Sequence, residues 1–351
     1  MEKQDIYYLR VIRVISSLAI VVLHTFSHFI TSFEATSAQR IFCFSVRNLQ
    51  MFAVPCFVMV TGVLLLRPEK EITIGQVFRK YIKRIVTALL VFSLLFALYD
   101  FILSKEAFSW KVFSSWLLTI YQNKSWSHLW YLYMILAIYL LLPVYRLVSK
   151  GAGIREYRYL LLVYFLFQII LSTADMVSGV KTGFYICVYT VYPFYLFLGH
   201  GLDNQAVKIP LWLSAVLFVV GLVGIPLLTY FQFILPSDVA GKLTGNYSSI
   251  VVVAFSTGVF SLLSRIKRTK DKSNIFSHFI LTLDHVSFGV YLVHMIGIKL
   301  FTSFVKWNPY SLGTITGCLV VLVVSVGIYL FSGLLVFVGK RLAHAVHLSS
   351  T

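Results

Sequence analysis

Acidic residues are scarce: 13 among 351, with charged residues of both signs making up only 12% of the chain. Soluble globular domains carry about 25% charged residues, so a chain this poor in charge and 59% hydrophobic is not of that class. No two carboxylates share a membrane level at helical spacing, which counts against a two-carboxylate glycosidase and against a chelated metal. The four cysteines, Cys43, Cys56, Cys187 and Cys318, lack paired spacing, so neither a disulfide nor a thiolate metal site is expected; they read as small core residues. The first apolar segment has no small-residue cleavage site and reads as a retained span.

What the chain has instead is a series of apolar runs, each able to cross about 30 Å of hydrocarbon. Ten are read, at 8–30, 42–66, 78–103, 127–146, 157–175, 183–202, 210–234, 248–264, 280–303 and 311–339. The expected fold is all-α: a polytopic membrane bundle of about ten transmembrane helices, with residues 1–351 forming a single membrane-embedded domain and no soluble domain. An N-terminus inside places 21 of the 30 Lys and Arg residues in tails and loops on that side, so the positive-inside rule puts both termini in the cytoplasm. The net charge of +17 is then mainly topological. Basic residues dispersed over short loops form no nucleic-acid module, and none is expected as a partner.

Polar groups inside spans must be paired or functional. Arg13 and His24 in span 1 are eleven residues apart, three helical turns plus about 20°, so they share one face roughly 16 Å apart along the axis. Span 2 holds Arg47 and Asn48, and span 9 carries a second one-sided stripe of Asp284, Ser287, Tyr291 and His294. His24 and Arg47 both fall about 8 or 9 Å inside the outer boundary, and His294 about 14 Å. They can meet if spans 1, 2 and 9 surround one cavity. An imidazole titrates near neutrality and suits general-base work, and Arg47 suits an oxyanion. The other reading of these histidines is hydrogen-bonded packing.

Three longer connections add candidates. Arg79, Lys80, Lys83 and Arg84 cluster at the start of span 3, where they can meet phosphate or lipid head groups. The external stretch 104–126 has Phe113, Trp116, Leu117 and Ile120 on one helical face and reads as an interfacial helix, over a substrate opening or as a plain anchor. His128 begins span 4 beside Trp126, Trp130 and Tyr131, either meeting an arriving hydroxyl or belonging to the aromatic belt. The run 265–272 is a solvated charge cluster.

Together these residues resemble the type-three integral membrane acyltransferases, which include bacterial surface-polysaccharide O-acetyltransferases. Arg13-x10-His24 matches the first-helix motif. The sequence continues the pattern with Ala53-Val-Pro-Cys-Phe-Val-Met-Val-Thr-Gly62, Arg79-Lys-Tyr-Ile-Lys-Arg-Ile85, His128-Leu-Trp-Tyr-Leu132 with Pro143, Tyr192-Pro-Phe-Tyr-Leu-Phe-Leu-Gly199 and Ser287-Phe-Gly-Val-Tyr-Leu-Val-His294. Thr61 stands where the family usually has Ser, and the proline that often follows the basic motif is absent around Val86 and Thr87. A fused hydrolase-like domain found in some members is not expected after span 10.

The resemblance implies transfer of an acyl group, acetyl by family precedent, from cytoplasmic acyl-CoA to a hydroxyl of a cell-surface glycan or its lipid-linked precursor, in a bacterial plasma membrane. It assigns catalysis to His24, Arg47 and His294, the CoA phosphates to Arg13, Arg79, Lys83 and Arg84, and the acceptor side to His128, Trp130 and Tyr291. His24 acts either as general base or as transient acyl carrier. Membrane lipid and glycan-synthesis proteins are the other implied partners, and no metal is implied. The alternatives are a polysaccharide exporter or flippase, and a structural subunit of an envelope complex.

Overall fold

A computed structural model describes residues 7–104, 107, 109–183, 190–235, 238–266, 275–305 and 307–349, with side chains to Leu342. Every described element is helical. Nine helices among the described residues are long and apolar enough to cross a membrane. They are α1 (Tyr7–Ser32), α2 (Ser37–Leu65), α3 (Ile74–Ser104), α5 (Ser127–Gly151), α6 (Ile154–Ser178), α8 (Leu211–Ile234), α9 (Val239–Leu263), α10 (Ile275–Phe304) and α11 (Thr314–Leu342). Two shorter α-helices, α4 (Trp110–Tyr121) and α7 (Tyr192–Asp203), and a 3-10 turn at Pro309–Leu312 lie between them. The expected span 183–202 lies partly outside the described residues, as do Cys187, Lys3, Lys105 and the run 267–272; within that span α7 alone is described.

The chain divides into two compact units, Leu65–Ala152 and the remainder. In the larger unit, α1 and α2 each bury 72% of their apolar stretch, against 17% for α6 and for α8. The first two helices are therefore central, and their polar residues face protein rather than lipid. Pro55 lacks an N–H for the carbonyl four residues back, and the helix tightens to a 3-10 turn at Gln50–Phe52 just before it. That turn lies immediately below Arg47 and Asn48. Glycine lets α2 and α7 touch backbone to backbone: a Cβ at Gly62 would sit 1.9 Å from the Leu196 carbonyl oxygen, and one at Gly199 2.3 Å from that of Met59.

Helix α1 is one uninterrupted α-helix, so the roughly 16 Å rise from Arg13 to His24 holds. Its lower end, with Tyr7, Val11 and Val14, packs on Ile280 of α10. Its upper end, with Phe26, Phe29 and Ile30, packs on Cys43, Tyr310, Cys318 and Val321. Helices α1 and α10 thus run in the same direction and α11 runs back, bringing Lys340 Nζ to the His285 carbonyl at 2.7 Å. Tyr7 and Lys340 therefore lie at the same end of the unit. Twelve residues of α7 rise only about 18 Å, and Pro193–Gly201 are all buried.

The smaller unit comprises α3, α4 and α5. Arg146 of α5 is buried and donates to the carbonyls of Leu65, Arg67 and Lys70, clamping the loop that leads into α3. That helix opens with a π-helical stretch, Val77–Ile82, before regular turns resume at Lys83.

Candidate active site

The face of α1 that carries Arg13 and His24 forms a ladder of polar contacts with α2, α10 and α11. At its base Arg13 donates from Nε and Nη2 to the two carboxylate oxygens of Asp284, each at 2.7 Å. This fork-on-fork geometry is the strongest form of ion pair, and the Arg13 side chain remains 30% exposed. One turn higher Ser17 meets the Tyr329 hydroxyl at 3.1 Å. Above that, His24 lies beside His294, ring centroids 5.2 Å apart and inclined by 41°. His28 closes the series against the Thr302 hydroxyl at 3.0 Å.

Arg47 is delivered to the level of His24 by the last turn of the first half of α2. Its Nε donates to Ser27 Oγ at 3.2 Å and its Nη1 to Asn48 Oδ1 at 2.7 Å. The Ser27 hydroxyl spends its own proton on the Leu23 carbonyl and so offers Arg47 a lone pair. Asn48 is buried and uses its amide nitrogen on Thr229 Oγ1 at 3.0 Å and Thr244 Oγ1 at 3.2 Å. These bonds settle which way its amide points, and they tie Arg47 to α8 and α9.

The two imidazoles differ in surroundings. His294 is fully enclosed, whereas His24 keeps some accessible surface. His294 Nδ1 lies 2.7 Å from the Tyr291 carbonyl oxygen and 3.2 Å from that of Val290. A carbonyl only accepts, so Nδ1 carries the proton and, in the neutral ring, Nε2 carries the lone pair. The Tyr291 ring lies 6.1 Å from that of His294.

The structure thus brings together His24, Arg47, His294 and Tyr291. Arg13 stands apart at the base, with two of its donor positions engaged by Asp284; its expected contact with donor phosphates is left to the Nη1 edge. In the smaller unit Arg79 lies within the π-helical stretch, Lys83 and Arg84 follow it, and all three are exposed. His128 is 1% exposed, set edge-on against Phe96 at 5.3 Å and Trp126 at 6.3 Å within the smaller unit. Trp130 is half-buried against Tyr131. Among the described residues no group of three or more metal-ligating side chains occurs.

Sequence reasoning placed Asp284 on a stripe but missed it as the partner of Arg13. The signal was available: Arg13 lies five residues into its expected span and Asp284 four into its own, so two opposite charges share one depth. Asn48 as the anchor of Arg47 was also missed, and its threonine partners carry no sequence signature.

A membrane helix bundle that encloses paired imidazoles and a positioned guanidinium is equipped for proton or group transfer. The chain belongs to the type-three membrane acyltransferases: the family model described as an acyltransferase domain matches residues 6–330. No curated protein and no solved structure matches it.

Proposed function

We propose that this membrane acyltransferase moves an acyl group, acetyl by family precedent, from cytoplasmic acyl-CoA to a hydroxyl of an envelope glycan or its lipid-linked precursor in a bacterial plasma membrane. The observation that carries the reading is the His24–His294 pair with Arg47 at its level. His24, the accessible ring, removes the acceptor's hydroxyl proton as its oxygen attacks the thioester carbonyl. Arg47 receives the developing oxyanion. The C–S bond breaks, and the CoA sulfur leaves with the proton that His24 had taken. His294, its ring centroid 5.2 Å from that of His24 and its Nδ1 proton held by backbone carbonyls, is the neutral neighbour against which His24 becomes positive. In the covalent variant, the unprotonated nitrogen of His24 attacks the thioester and CoA leaves as thiolate; the acceptor hydroxyl then takes the acyl group, and its proton passes through the released imidazole to the thiolate.

Exposed Arg79, Lys83 and Arg84 supply charge for the donor's phosphates, with both termini on the cytoplasmic side. Tyr291 lines the substrate side of the histidine pair. Purified protein in liposomes with radiolabelled acetyl-CoA tests the proposal. Incorporation into glycan that disappears in His24→Ala supports it; unchanged incorporation removes His24 from the mechanism, and glycan movement without acylation would indicate export. Mass spectrometry of envelope glycans from a deletion strain and its parent then names the acyl group and the acceptor.

A further inference from the structure

A cavity of about 340 Å³ lies in the smaller unit, between the second half of α3, the amphipathic α4 and the loop before α5. It falls within the roughly 300–1,000 Å³ of small-ligand sites. Trp116 and Trp126 provide aromatic wall, and Asp100 and Lys124 are its charged members. Trp126 is held in place, stacked on buried Phe96 at 4.1 Å with planes 4° apart. Its Nε1 donates to Asp100 Oδ2 at 2.6 Å, so the carboxylate and the indole are fixed relative to each other. Helix α4 ends at Tyr121, and Asn123 just beyond it has a left-handed φ of 54°, a conformation asparagine tolerates. The chain then turns back, with the Lys124 N–H on the Thr119 carbonyl at 2.8 Å.

The polar wall has a marked bias. The Ser115 and Thr119 hydroxyls direct their protons to the carbonyls of Val112 and Trp116, each at 2.7 Å, so what they present is lone pairs. A carboxylate only accepts, at several positions around its two oxygens. The cavity therefore asks for a ligand rich in O–H donors, with an apolar face for the indoles and no net charge, since Asp100 and Lys124 balance. Phosphates and carboxylates, which bring acceptors and negative charge, are disfavoured, and an acyl chain would leave the acceptors of Asp100, Ser115 and Thr119 without donors.

We propose that this cavity binds a neutral saccharide, with Asp100 and Trp126 as its specificity residues. The test uses full-length protein in nanodiscs, titrated with unacylated envelope oligosaccharide released from a deletion strain and followed by tryptophan fluorescence. Saturable binding is expected in the wild type. Asp100→Asn should weaken it about ten- to hundredfold, the range for losing hydrogen bonds to a charged group, and Thr119→Val less. Both substitutions are close to isosteric, and unchanged melting temperatures verify the fold. Absence of saturation in the wild type, or equal affinity in Asp100→Asn, overturns the site. Acyl incorporation from acetyl-CoA on the same preparation tests the proposed function separately: saccharide binding without incorporation would overturn the glycan-acceptor reading and leave the binding site standing.

Discussion

Arg13 and His24 stand on one face of one helix, yet they meet opposite kinds of partner. At the base a guanidinium is matched by a carboxylate on both of its side-on donors. Higher up, an imidazole is matched by a second imidazole, with a guanidinium at the same level. An ion pair with balanced charge and ideal geometry holds two helices in register. Of the two imidazoles, His294 has its Nδ1 proton fixed on backbone carbonyls, and His24 is the more accessible ring. On the function proposed above, the stripe divides into a pin and a reaction centre.

The division can be broken by experiment, most severely at the upper rung. His24→Ala should lower acyl transfer about 10²–10⁴-fold, the usual worth of a general base, while thermal unfolding in detergent stays near wild type. A variant that instead unfolds would make His24 a packing residue. At the base the expectation reverses. Asp284→Ala leaves Arg13 without its counter-charge and should cost about 3 kcal/mol, the low end for breaking a buried pair, because the arginine side chain is 30% exposed. The exchanged pair Arg13→Asp with Asp284→Arg should recover part of that loss in the same melting assay; no recovery, with donor KM raised, would make Arg13 a donor ligand.

Asn48→Leu addresses the support of the reaction centre. Arg47 loses an acceptor, and kcat should fall about tenfold with donor KM unchanged, as expected for one charge-assisted hydrogen bond. An unaltered kcat would separate Arg47 from the chemistry. The smallest effect is expected between the two rungs, where Ser17→Ala removes one hydroxyl contact with Tyr329 and should cost about 0.6 kcal/mol, the average for such bonds inside membranes. A larger loss, seen in the same unfolding measurement, would extend the pin upward from Arg13.

Much of this was legible before any coordinates. The one-sided stripe of α1 follows from helical periodicity, and nine of the ten apolar runs correspond to long helices because hydrocarbon thickness sets the length of a span. Other relations were not visible. Cys43 and Cys318 lack sequence spacing, yet their sulfurs lie 3.1 Å apart where α2 packs on α11. The 183–202 run, with Pro193 and Gly199, was among the least regular of the expected spans, and the helix described within it has 12 residues. His128 looked placed to greet a hydroxyl, and neighbouring Phe96 and Trp126 enclose it.

The sequence alone determined that the chain crosses a membrane repeatedly and that α1 carries a charge and an imidazole about 16 Å apart on one face. Both depend on interactions within one helix or between that helix and lipid. Only the tertiary structure decided that Asp284 takes Arg13, that His294 takes the place beside His24, and that Asn48 anchors Arg47. Those partners lie on helices hundreds of residues away or bridge to them, and helix packing chooses between them by shape and polarity, which periodicity within one span does not encode.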